Sequence, residues 1–135
     1  MVSPYSQDLT IQENVPPITT IGADALTIIG RSSYPATVNS VQYIPAGTQA
    51  GAATHNRTLT LYNRGTAAGT VAIATLTLAS GTDLADNTPK TITLSTTGAN
   101  LNLNPGDILE WESLHNSNGI ADPGGLVVVQ MGLRS

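Results

Sequence analysis

The chain has 135 residues, of which 40% are hydrophobic and only 10% charged, with a net charge of −4 and neither cysteine nor phenylalanine. That length suits one domain with its own core, the apolar content at so low a charge argues against disorder, and the lack of cysteine excludes a disulfide scaffold and thiol catalysis. Arg31, Arg57, Arg64, Lys90 and Arg134 are scattered singly, so no basic stripe tracks a phosphate backbone and nucleic acid is not an expected partner.

Residues 1–8 have no basic n-region and no apolar h-region, so they do not read as a signal peptide. The longest apolar run, Leu126-Val127-Val128-Val129, is far too short to cross a bilayer. The expectation is a soluble chain made in a cytoplasm, with no membrane partner. Residues 1–24 stand apart. They hold Pro4, Pro16 and Pro17 and one short strand-like piece at 8–12, and tandem proline forbids regular ladder pairing. They read as a frayed terminus or as an extended N-terminal arm that reaches a neighbouring subunit.

From residue 25 to 135 strands and turns alternate. Threonine, nineteen times in the whole chain, punctuates the apolar residues, as in Thr58-Leu59-Thr60-Leu61, Thr75-Leu76-Thr77-Leu78 and Thr91-Ile92-Thr93-Leu94. That period of two is the mark of half-buried strands. Strands are predicted at 25–29, 37–44 (Val41 and Tyr43 on one face), 57–63, 70–79, 90–95, 101–103, 108–114 and 126–133. The apolar phase in 70–79 moves from Val71 and Ile73 to Leu76 and Leu78, which predicts a β-bulge or inward-facing alanines. Asn104-Pro105-Gly106-Asp107 has the residues of a type II turn. The last strand is apolar on both faces, so it is central or covered by another subunit. About eight strands with turns every 8–12 residues predict an all-β fold, an antiparallel β-sandwich that is jelly-roll-like. No window holds helical periodicity over three turns.

Few side chains offer chemistry. Glu110 and Glu112 share a strand face with Cα atoms about 6.6–6.8 Å apart. Glycosidases place such a pair across a cleft, so a solvated outer face is the simpler reading. Asp83, Asp86 and Asn87 lie in one loop, without the spacing of an EF-hand and with the composition of an ordinary turn. His55, His115 and Asp122 invite a triad, but no Gly-x-Ser-x-Gly elbow accompanies them. Trp111 reads as a core anchor. No catalytic, metal or cofactor site is assigned, and the chain is not expected to be an enzyme.

The stretch from residue 101 to 131 combines Pro105-Gly106-Asp107, Trp111-Glu112, Ala121-Asp122-Pro123-Gly124-Gly125 and Val127-Val128-Val129. In that cadence, residues 57 to 133 resemble the capsid decoration (auxiliary or cement) proteins of tailed bacteriophages. The resemblance implies a virion structural protein on the outer capsid surface, self-associated as a homotrimer, that bridges copies of the major capsid protein. On that reading the partner-binding residues are Leu9, Ile11, Val15, Pro16 and Pro17 in the arm, and Val127, Val129, Met131 and Leu133 along a trimer axis. The alternative is a carbohydrate- or receptor-binding module of a tail or head fibre, which needs an exposed aromatic among Tyr34, Tyr43, Tyr62 and Trp111.

Overall fold

The structure, a computed structural model, describes residues 8–134. Among them are ten strands: β1 (Asp8–Val15), β2 (Ala25–Arg31), β3 (Ala36–Pro45), β4 (Asn56–Gly65), β5 (Val71–Thr77), β6 (Lys90–Thr91), β7 (Thr93–Leu94), β8 (Asn102–Leu103), β9 (Ile108–Asn116) and β10 (Gly125–Leu133), with one 3-10 turn at Gly98–Leu101. They form two sheets. One has the order β1-β10-β3-β6, with β8 also on β3, and the other has the order β2-β9-β4-β5-β7. Every pairing is antiparallel. The chain passes repeatedly from sheet to sheet and sets its first strand beside its last, which is the strand order of a jelly roll.

Alternation places the core. Leu59 and Leu61 of β4, Leu109 and Trp111 of β9, and Val127, Val129 and Met131 of β10 all face the other sheet and are buried. Tyr43 and Trp111 meet there with ring centroids 5.5 Å apart. The predicted bulge in β5 is present: Leu61 pairs with Ala74 and Tyr62 with Ala72, so Ile73 is skipped. Ile73 and Ala74 are both buried, which resolves the phase change. The turn after β8 also follows its sequence. The Asp107 amide donates to the Asn104 carbonyl at 3.1 Å, and Gly106 takes the positive φ of 92° that a type II turn needs.

The strand predicted at 90–95 is divided. β6 pairs with β3 and β7 with β5, and between them Ile92 is buried while its amide donates to the Val41 carbonyl at 2.9 Å. The chain therefore steps from one sheet to the other here and closes that side of the sandwich covalently. On the opposite side β1 and β2 approach each other. A Cβ on Gly30 would lie 2.6 Å from Ile11 Cγ2, so the bare glycine is what admits Ile11.

The expected arm over residues 1–24 needs correction for its described part. Residues 8–15 are an edge strand of the chain's own sheet, in register with β10 from Asp8 opposite Gly132 to Val15 opposite Gly125. β1 stops where Pro16 and Pro17 remove the amides that would continue the ladder. Beyond them Ile18 exchanges both backbone hydrogen bonds with Asp122, at 2.8 and 2.9 Å. Residues 1–7 lie outside the described residues.

The core also holds a polar group that ties its parts together. Arg57 shares the inward register of Leu59 and Leu61 and is fully buried. Its Nε donates to the Ile120 carbonyl at 2.9 Å, Nη2 to that of Ile21 at 3.0 Å, and Nη1 to that of Ala23 at 2.9 Å and to Ser113 at 3.3 Å. Ser113 Oγ in turn donates to Asp122 Oδ2 at 2.6 Å, and Asp122 Oδ1 accepts from the Tyr43 hydroxyl and from the Gly124 amide. Burial pulls the Arg57 guanidinium below its ordinary pKa, against the opposing charges of Asp122 and Asp24. Burial, then the Asp122 charge and hydrogen bond, push the Tyr43 hydroxyl far above the usual tyrosine range. Removing one partner from such a network strands the others. Arg57→Leu should lower stability by about 3–5 kcal/mol, read as a drop in the urea midpoint at unchanged slope. A loss below about 1 kcal/mol would show that the cluster is not integral to the fold.

Candidate docking surface

The residues expected to bind partners fall into three groups. Val127, Val129 and Met131 are inward-facing core residues of a strand held between β1 and β3. Val15 is buried too. These four are corrected from partner-binding to core: β10 is apolar on its inner face because it is central to its sheet. Leu9 and Ile11 are half-buried against the same core. Pro16, Pro17 and Leu133 remain on the surface, the last 50% exposed.

Most of the groups with catalytic potential are engaged in local contacts, whereas Asp86 and Asn87 are exposed in their loop. Glu110 accepts from Arg64 Nε at 2.9 Å. Glu112 accepts from the Tyr62 hydroxyl at 3.3 Å. Burial, then the Glu112 charge and hydrogen bond, raise that hydroxyl above its ordinary pKa. Both carboxylates project from the same sheet face onto β4, and neither faces the other across a cleft as a glycosidase pair does. His115 meets Asp24 at 2.7 Å, whereas Asp122 is buried with Tyr43 and Ser113, so the histidine and Asp122 do not share a site. His55 Nδ1 accepts from the Asn118 amide at 3.2 Å. Asp83 accepts from the Gly51 amide at 2.8 Å and holds its loop to the earlier one between β3 and β4. Among the described residues no three His, Asp or Glu side chains gather as a metal-binding group.

Of the aromatics, Tyr43 and Trp111 are buried. Tyr62 is covered by the Arg64 guanidinium, 4.1 Å above its ring. Tyr34 is exposed.

Besides Tyr34, Val71 and Leu133, the exposed large apolar side chains among the described residues lie on or beside the outer face of the β2-β9-β4-β5-β7 sheet. Its middle is knit together by hydroxyl pairs, Thr58 with Thr77 at 2.9 Å and Thr60 with Thr75 at 3.0 Å, and by the Arg64–Glu110 and Tyr62–Glu112 contacts. Its margin is apolar. Leu26 and Ile28, opposite Glu112 and Glu110, are 57% and 63% exposed. Leu114 of β9 adds to this outer face, and Ile21 is exposed just before β2. None of these residues stands out in the sequence as a candidate site. The signal was Leu26 and Ile28 alternating with the buried Ile29, apolar on both faces of one short strand.

No family model and no curated protein matches the chain. Among solved structures, its fold is similar to a chain in the structure of infectious bursal disease virus, Gx strain, with a TM-score of 0.46 and 8% identity over 97% of this chain and 35% of that one. The chain thus spans about a third of that neighbour's length. A likeness this remote carries no argument about function.

The Asp24–His115 contact fastens the start of β2 to the end of β9. Burial opposes ionisation of Asp24, but the backbone amide and ring of His115, with Arg57 beyond, outweigh it and hold the carboxyl below its ordinary value of 3.8. A depressed carboxyl adds stability above the unfolded value and loses it as pH falls through the folded one. Asp24→Asn should therefore be less stable than the parent chain at neutral pH. The gap should close below about pH 3.8, as followed by urea midpoints across the pH range. A gap independent of pH would remove the carboxylate from this account.

Proposed function

We propose that this chain is a virion structural protein that docks on the outer face of a phage capsid and stabilises the shell by bridging major capsid subunits, with no catalytic step. The observation that carries the reading is the surface itself: weakly charged, rich in threonine, and bearing an exposed apolar margin at Ile21, Leu26, Ile28 and Leu114. Such a surface suits contact with other protein. Glu110, Glu112, Asp83, Asp122 and both histidines make contacts within the body itself.

The sequence resemblance over residues 57–133 supplies the virion context. The jelly roll agrees with it only by analogy, since the architecture also serves lectins and other binding domains. Several copies acting together would turn a weak contact per chain into firm retention, because each further docking event is intramolecular. The resemblance implies three copies.

Ile21 is the candidate for direct shell contact. It is 50% exposed, and its carbonyl is fixed by Arg57, so its side chain is presented from a braced loop. Heads that lack this protein should bind the purified chain saturably in a co-sedimentation assay. Ile21→Asp should bind about tenfold or more weakly, a loss of about 1.4 kcal/mol or greater, in line with the ~1.5–3 kcal/mol of burying a large apolar side chain. Absence of binding by the parent chain would end the proposal.

A further inference from the structure

The two long edge strands of the sandwich differ in how they are guarded. Along β1, Thr10, Gln12 and Asn14 are exposed, and Glu13 stays exposed although it sits opposite the buried Val127. Tandem proline follows at once. Polar side chains, an inward-register charge and proline are the devices that keep an edge from pairing. From Ala25 to Ile28, β2 carries no charge and no proline, and its one polar residue, Thr27, has the inward register of Trp111 opposite it. It ends the order of its sheet, and its outward side chains are the exposed Leu26 and Ile28. A strand edge presents a row of backbone donors and acceptors, and what satisfies such a row is another extended strand.

We propose that β2 pairs antiparallel with β2 of a second copy of this chain, about a two-fold axis at Thr27, so that two β2-β9-β4-β5-β7 sheets join edge to edge. The register follows from the side chains. Residues directly opposite each other in an antiparallel pair project to the same face, and an axis at Thr27 sets Leu26 opposite Ile28 of the second copy, and Ile28 opposite Leu26 of the second copy. Four exposed apolar side chains then form one cluster.

The bulge in β2 completes the match. Against β9, Ile28 pairs with Glu110 and Gly30 with Leu109, so Ile29 is skipped. The same skip against the second copy brings Asp24 opposite its Arg31. Asp24 keeps 39% of its side chain exposed, and Arg31 is exposed as well. Symmetry repeats the pair, so two carboxylate–guanidinium contacts flank the apolar cluster. A slip of one residue would set outward Leu26 against an inward-facing neighbour, and a slip of two would part Asp24 from Arg31. The contact is isologous and closes with two copies, where the resemblance implies three.

The test needs no shell, so its result is separate from that of the docking proposal. The chain has no cysteine, and a Leu26→Cys/Ile28→Cys variant therefore carries the only thiols. Directly opposed Cα atoms lie about 4.5–5.5 Å apart, within disulfide reach. Mild oxidation should convert most of this variant to a covalent pair of chains on a non-reducing gel, and Leu133→Cys should stay single. In sedimentation the parent chain should run as two copies, and Ile28→Lys as one, with an unchanged circular dichroism spectrum. A parent chain of one or three copies would overturn the proposal, as would an Ile28→Lys chain that keeps the parent mass. A single-copy parent whose Ile28→Lys variant loses binding to heads would overturn it too, and would assign the edge to a strand of the shell.

Discussion

The constraint on which the rest of the structure depends is the buried guanidinium of Arg57. A charge inside a sandwich is tolerated when hydrogen bonds and a nearby counter-charge compensate its burial. Here the donors are spent on carbonyls of three separate segments: residues 21–23 before β2, Ser113 in β9 and Ile120 before β10. Ser113 relays to Asp122, and Asp122 reaches across to Tyr43 of the other sheet. One side chain thus fixes where β2 begins, where the loop before β10 runs, and how the two sheets are joined. The exposed apolar margin owes its position to that brace, because Ile21 and the start of β2 are held by it.

The two sides of the sandwich are closed by different means, and the difference matters for the surface. Where β6 gives way to β7, covalent continuity across Ile92 leaves only two-residue strands at that rim of either sheet. Where β1 meets β2, closure is by packing of Ile11 on the bare Gly30, and two longer strands end their sheets. Strand edges invite association unless they are guarded. β1 is guarded by its composition, whereas β2 from Ala25 to Ile28 carries neither charge nor proline. The hydroxyl pairs, the Arg64–Glu110 ion pair and the Tyr62–Glu112 hydrogen bond in the middle of the outer face are satisfied internally and leave less for a partner to take.

Several local features were legible in the sequence because they depend on near neighbours. Alternation marked the long strands, the phase change at Ile73 marked a bulge, and Pro105-Gly106 marked a turn. Other readings failed for non-local reasons. Residues 8–15 looked like an arm because nothing nearby pairs with them; their partner is the far end of the chain. The two-sided apolar last strand allowed a central strand or an interface; β10 is the central one, flanked by β1 and β3, so Val127, Val129 and Met131 are core and not the trimer-axis contacts the resemblance implied. Arg57 passed as one of five scattered cations, although its register with Leu59 and Leu61 placed it inward.

The sequence by itself determined that this is a small all-β body with a weakly charged surface, because a period of two and turn chemistry are written within a few residues. The tertiary structure decided which strands are central and which edges stand free. It also decided that the glutamates, histidines and Asp122 are occupied, and that Leu26 and Ile28 face solvent. The physical reason is that burial and hydrogen-bond partnership are set by which strands become neighbours. In a jelly roll those neighbours come from opposite ends of the chain.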